Sequence, residues 1–230
     1  MTPKQFATRF GVRLPAWLLC GLAGALIGVS GLGQGVEHTL SEMDVQIRQH
    51  PASGAVHIVE IDAHSIATIA RWPWPRSNYA RVVDQLRRAG AASIVFDVDF
   101  SAYSTPAEDA AFADALRRAG GKVVLPAFSQ RTGGNREGWT DSMPIPSLRE
   151  HAAAAAVSIL PDHDGYVRRA PIGVTVAGLP RPSLSATLAG VAGSSDQDFA
   201  IDFAIAPASI PRHSLVEIRD GRFKDRKSVV

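Results

Sequence analysis

Two pairs of carboxylates close the two most strand-like runs of the chain. Val56-His57-Ile58-Val59-Glu60-Ile61-Asp62 ends on Glu60 and Asp62, and Ala92-Ser93-Ile94-Val95-Phe96-Asp97-Val98-Asp99-Phe100 carries Asp97 and Asp99. Period-two alternation puts the members of each pair on one face of their strand. In an open α/β sheet, ligands bind in the crevice beyond the carboxyl ends of the strands. Acids gathered there could hold Mg²⁺ or work as an acid/base pair; the alternative is that they cap helices and pair with Arg71 and Arg76. Neither a catalytic histidine nor a glycine-rich phosphate loop accompanies them, which favours the alternative.

Between the two runs lies Arg71-Trp72-Pro73-Trp74-Pro75-Arg76. Each proline fixes its own φ and disfavours the helical region for the residue before it, so Trp72 and Trp74 are expected to be extended and stiff. Two large rings on such a bend make either a structural plug or a recognition surface, with plugging favoured. The candidate ligand pocket combines Asp62, Asp97 and Asp99 as polar groups, Arg76 as counter-charge and Trp74 as an apolar wall.

Other chemistry is thinly represented. Asp162-His163-Asp164-Gly165 begins like a calcium loop, but the later acid and the closing glutamate are missing, so a hairpin turn is the better reading. His57 reads as a satisfied core or edge histidine. Arg168-Arg169 could grip an anion, although a solvated strand end is the default. There is no Ser/His/Asp elbow, no HExxH and no Walker or Rossmann glycine pattern. No catalytic residue, metal ligand or cofactor is therefore assigned. The single cysteine, Cys20, leaves the body without a disulfide or a cysteine metal site.

The elements that would position these groups follow in order. Ala63–Ala70 reads as a short helix, and Ser77 as the N-cap of a helix with Tyr79, Val82, Val83, Leu86 and Ala89 on one face and Gly90 as its stop. Thr105-Pro106-Ala107-Glu108 opens another with an N-cap, a first-position proline and a capping-box glutamate. Leu86-Arg87-Arg88-Ala89-Gly90 recurs thirty residues later as Leu116-Arg117-Arg118-Ala119-Gly120, each time between a helix and a strand. That is the period of a β-α-β unit, whose right-handed crossovers would set the strands side by side. Lys122–Leu125 is the third strand. Ala127–Ser147 reads as a long functional or mobile loop. Ala152–Leu160 is ambiguous, its alanines favouring helix while Val157 and Ile159 favour strand. Tyr166–Val176 reads as the returning arm of a hairpin, Pro182-Ser183 opens a helix ending at Gly190, and 201–203, 215–218 and 228–230 read as strand fragments. The fold class is α/β: a mixed, largely parallel sheet with helices on its faces, preceded by one N-terminal transmembrane helix.

That helix is read from 23 uncharged residues, Leu14–Val36. At 1.5 Å per residue they exceed the ~30 Å hydrocarbon thickness of a bilayer. Lys4, Arg9 and Arg13 precede it without an acid, which places the N-terminus in the cytoplasm. The expected organisation is a cytoplasmic 1–13, a signal anchor at 14–36 and an exported body at 37–230, with 37–50 as a juxtamembrane helix. A cleaved signal peptide or a buried core helix is the alternative. The other 21 bases face all 22 acids in the body, so the basic pI gives no support for nucleic-acid binding.

The order of these elements resembles the CHASE type-2 sensory domain. The resemblance is carried by Ile58-Val59-Glu60-Ile61-Asp62 with Ser65, the Trp/Pro bend, Phe96–Ser101, Glu108-Asp109, Val123–Pro126, Pro161–Gly165 with Arg168-Arg169, and Ile201–Phe203. It spans about residues 40–230 and implies an extracytoplasmic sensor at a bacterial cytoplasmic membrane, homodimeric, taking a small-molecule or peptide ligand. In such proteins further membrane helices and a cyclase or kinase output follow. Here Ser228–Val230 reads as the start of a last strand, which implies a truncated chain. A metal-assisted hydrolase using the strand-end acids, or a dimerising spacer without a ligand, are the rival functions.

Overall fold

The computed structural model describes residues 47–69, 72–131, 139–159, 161–162, 164–192 and 197–222, with Cys20, Gly21, Gly24 and Val45 as isolated positions. The expected span at 14–36, most of 37–50, Arg71 and the last fragment at 228–230 lie largely or wholly outside them. Among the described residues no helix is long and apolar enough to cross a membrane. The chain divides into two compact units, Met1–His50 and Pro51–Val230; all that follows concerns the second.

The central strand is β3 (Val123–Arg131), longer than its sequence suggested. Its first half lies between β2 (Ile94–Val95) and β5 (Ala153–Ala156), both parallel to it. Its second half turns into an antiparallel pairing with β4 (Trp139–Ser142). Of the expected loop at 127–147, residues 127–131 and 139–142 are therefore paired strands. The alanine-rich run at 152–160 contributes a strand because β3 offers it a full ladder, which outweighs weak local propensity.

Against this sheet pack two 14-residue helices, α2 (Arg76–Ala89) and α3 (Pro106–Ala119). The apolar stripe of α2, Tyr79, Val82, Val83 and Leu86, is buried as its spacing predicts, and Gly90 ends the helix at φ 93°. The repeated Leu-Arg-Arg-Ala-Gly ends α3 in the same way, with Gly120 at φ 63°. Arg118 of the second copy reaches across to Asp84 of α2, with its two bonds at 2.8 and 3.2 Å. Tyr79, Phe96, Phe100 and Phe112 fill the space between helices and sheet, their ring centroids 5.0–6.1 Å apart.

The first strand departs from expectation. β1 (Ile58–Glu60) is only half-buried and, among the described residues, its ladder is with β10 (Arg212–Ser214), parallel, rather than with β2. Around this seam, Ser65 of α1 (Ala63–Thr68) is fully buried and accepts the amide of Val216 at 3.1 Å. Val216 belongs to α6 (Leu215–Arg219), a helix where a strand fragment was expected: Leu215, Val216 and Ile218 are its buried face. Glu60 and Arg212 form an ion pair across the two strands.

The remaining part is antiparallel. The turn at 161–165 is present, with the amide of Asp162 donating to the carbonyl of Tyr166 at 2.7 Å and Gly165 at φ 85°. The segment after it is not its returning arm: β6 (Arg169–Pro171) pairs with β9 (Asp198–Ala200), and β7 (Gly173–Val176) pairs with β8 (Leu179–Pro182). Ala177 and Gly178, at φ 54° and 72°, form the two-residue turn that permits the second hairpin. The short α4 (Pro146–Arg149) lies between β4 and β5. Ser183 caps α5 (Leu184–Ala189), which ends at Gly190 as expected.

Candidate functional site

The Trp/Pro bend connects α1 to α2, and its two rings are unequal. Trp74 is buried, and its indole N–H donates to the carbonyl of Ile69 at 2.9 Å. Trp72 is 63% exposed and touches Trp74 edge-on, with centroids 5.3 Å apart. The peptide between Trp72 and Pro73 is cis. Pro75, extended at φ −52° and ψ 133°, stands at the N-cap, so α2 begins at Arg76 and not after Ser77. The amide of Ser77 instead donates to the carboxylate of Glu108 at 2.6 Å. Glu108 thus closes the N-terminus of the neighbouring helix, while Thr105 caps its own.

Arg76 is buried beneath this bend. Its Nη1 donates to Asp109 Oδ1 at 2.6 Å, and its Nη2 reaches the carbonyl of Ala102. The guanidinium lies 5.6 Å from the centroid of the Phe100 ring. Asp109 also accepts the amide of Ser104. The segment 100–104 that follows β2 is therefore tied to both α2 and α3. A buried pair of this kind needs further hydrogen bonds to stand, and here backbone carbonyls on Arg76 and the Ser104 amide on Asp109 supply them. Asp109 is the residue that sequence reasoning did not single out as a partner. Its signal was its position: it shares a helical face with Phe112 and Leu116, and an acid on an apolar stripe must be paired.

The carboxylates stand in different surroundings. Asp62 is the N-cap of α1: its Oδ1 accepts the amide of Ser65 at 2.8 Å and the hydroxyl of Ser214 at 3.1 Å. The bonds from Ser65, with that from Ser214, hold its carboxyl below the ordinary aspartate range. Asp99 is exposed, accepts the amide of Ser101 at 2.8 Å and its hydroxyl at 3.0 Å, and is reached by the Ser142 hydroxyl at 3.4 Å. Asp97 is exposed and has no partner among the described residues. Trp74 and Arg76 lie at the bend and the start of α2, Asp97 and Asp99 lie on the segment after β2, and the two stretches meet where Arg76 reaches the carbonyls of Phe100 and Ala102. Asp62 stands apart from them, on the β1–β10 seam.

Residues 17–227 match the CHASE2 domain. The chain belongs to the CHASE2 family. Comparison with curated proteins and with solved structures finds no match. CHASE2 domains are extracytoplasmic sensory modules, so the matched region is a sensory domain by family.

Within this CHASE2 domain the Asp-x-Asp-Gly turn has a structural task. Arg168 Nη1 lies 3.0 Å from Asp162 and 2.9 Å from Asp164, folding back over the turn that precedes it. Its guanidinium also sits 5.1 Å over the Tyr166 ring. Arg169 pairs with Asp198 of β9 at 2.7 Å. Arg168 and Arg169, the adjacent pair that could have gripped an anion, therefore both have carboxylate partners in the fold. His163 lies outside the described residues. No group of three or more His, Cys, Asp or Glu suited to a metal occurs among the described residues.

Proposed function

We propose that this CHASE2 domain is the signal-input module of a bacterial membrane receptor, anchored through 14–36 with its body outside the cytoplasm. It works as a homodimer, and the ligand, a small molecule or peptide, is received at the edge formed by Asp97 and Asp99. Arg76 supports the segment that carries that edge through the carbonyls of Phe100 and Ala102, Trp74 is the buried apolar residue of the bend beside it, and Asp62 is a separate polar group on the β1–β10 seam. The observation that carries the reading is the open carboxylate of Asp97 on a segment whose base is held by the buried Arg76–Asp109 pair. An exposed polar group on rigid support is what recognition needs, because a site that is already ordered loses less freedom on binding. A ligand signals by binding two conformations unequally and shifting the population between them. The reading assigns no reaction to the chain.

The test has two parts. Alkaline phosphatase fused after Val230 is expected to be active in cells, and deletion of residues 14–36 to abolish that activity; an active fusion without the segment would remove the anchor. The chain is then joined to a cyclase output and cyclic-nucleotide formation is measured. Asp97→Asn with Asp99→Asn is expected to change output at unchanged expression. Equal output with and without both carboxylates would remove the proposed edge.

A further inference from the structure

We infer a second binding site, for a phosphate-type oxyanion, at the opposite edge of the sheet. A shallow, largely open depression of about 420 Å³ lies there, with Arg117, Gly121, Arg149, Glu150, His151 and Ala152 among its lining residues. None of Asp62, Trp74, Arg76, Asp97 or Asp99 lines it. Gly121 precedes β3 and Ala152 precedes β5, and these strands are parallel neighbours, so the depression sits at their amino ends. Among the described residues, neither the Gly121 nor the Ala152 amide donates to another backbone group.

Arg117 and Arg149 line the same depression as those two residues. Arg149 has no partner among the described residues. Arg117 is paired at 2.8 Å with Asp114, but both side chains are more than half exposed, and a solvated pair of this kind exchanges for a better acceptor at little cost. Glu150 is the opposing charge in the lining, which leaves two arginines against one acid. Gly121, which lines the depression, is left-handed at φ 82°, so a larger residue there would be strained. Planar guanidinium forks are a donor set that phosphate oxygens take. The chemistry fits either a free phosphate or the headgroup of an anionic phospholipid.

The full 230-residue chain, ¹⁵N-labelled in phosphatidylcholine nanodiscs, is titrated with inorganic phosphate. Saturable shifts of the Gly121 and Ala152 amides are expected, with an apparent affinity at least ~10-fold weaker in Arg149→Gln. Both arginines are exposed enough for the variant to fold, and Arg117→Gln provides an independent second variant. In nanodiscs containing phosphatidylglycerol, amides already shifted before phosphate is added identify the lipid as the source; amides unshifted until phosphate is added identify the free ion. No saturable shift under either condition, or shifts unaltered by Arg149→Gln and by Arg117→Gln, would overturn the site.

Discussion

The carboxylate of Glu108 lies 2.6 Å from the amide of Ser77, thirty-one residues away on another helix. A residue placed by local rules to cap its own helix instead closes the one beside it. The start of α2 is thus fixed by α3, just where the Trp/Pro bend delivers the chain.

Glu108→Ala is expected to destabilise the domain by about 1–2 kcal/mol, the range for loss of a helix cap. Thr105→Ala, which removes the other cap, should cost about 1 kcal/mol. Urea midpoints of the two single variants and the double check both values. Because the caps serve different helices, the double is expected to be close to additive.

Arg76→Met alone leaves Asp109 buried without its cation and should cost about 3–5 kcal/mol. Arg76→Met with Asp109→Leu should recover a large part of that loss. Chemical denaturation of Arg76→Met, Asp109→Leu and the double variant decides it. A double variant as unstable as the sum of the singles would mean that the pair's role is packing alone.

The two tryptophans should separate cleanly. Trp74→Ala is expected to cost about 3–5 kcal/mol as a large core side chain removed. Trp72→Ala, which loses one edge-on ring contact, should cost about 1 kcal/mol or less. Thermal melts give the ranking, and acrylamide should quench the fluorescence of Trp72 before that of Trp74.

Burial pushes the phenol of Tyr79 up to about 12, with the nearby Arg76 pulling the other way. The unfolded phenol ionises near 10, so between those values the folded state holds the proton more tightly. Its contribution to stability is therefore present below pH 10 and lost as pH rises towards 12. Tyr79→Phe should flatten the alkaline limb of stability against pH. Urea midpoints from pH 9 to pH 11 check this.

Much of the fold was legible because its signals were local. Gly90, Gly120 and Gly190 stop helices, Thr105 with Pro106 and Ser183 start them, and the stripe from Tyr79 to Leu86 faces inward, all by rules confined to a few residues. What escaped was set by distant partners. Ala153–Ala156 became a strand because β3 lay beside it. Leu215-Val216-x-Ile218 is too short for periodicity to separate helix from strand, and packing decided in favour of helix. At the candidate edge, Asp97 and Asp99 were legible as strand-end acids. The partner of Arg76 was not, since nothing in local spacing ties it to a residue thirty-three positions on.

The seam between β1 and β10 has a consequence for biosynthesis. Glu60 and Arg212, which pair across it, are 152 positions apart. At roughly 5–20 residues per second of translation, the first strand waits about 8–30 s before its partner exists. Through that interval Ile58 and Val59 present an unpaired apolar edge, open to wrong partners until the end of the domain arrives. The strand made first is therefore among the last to be locked, and a nascent chain released early would expose it.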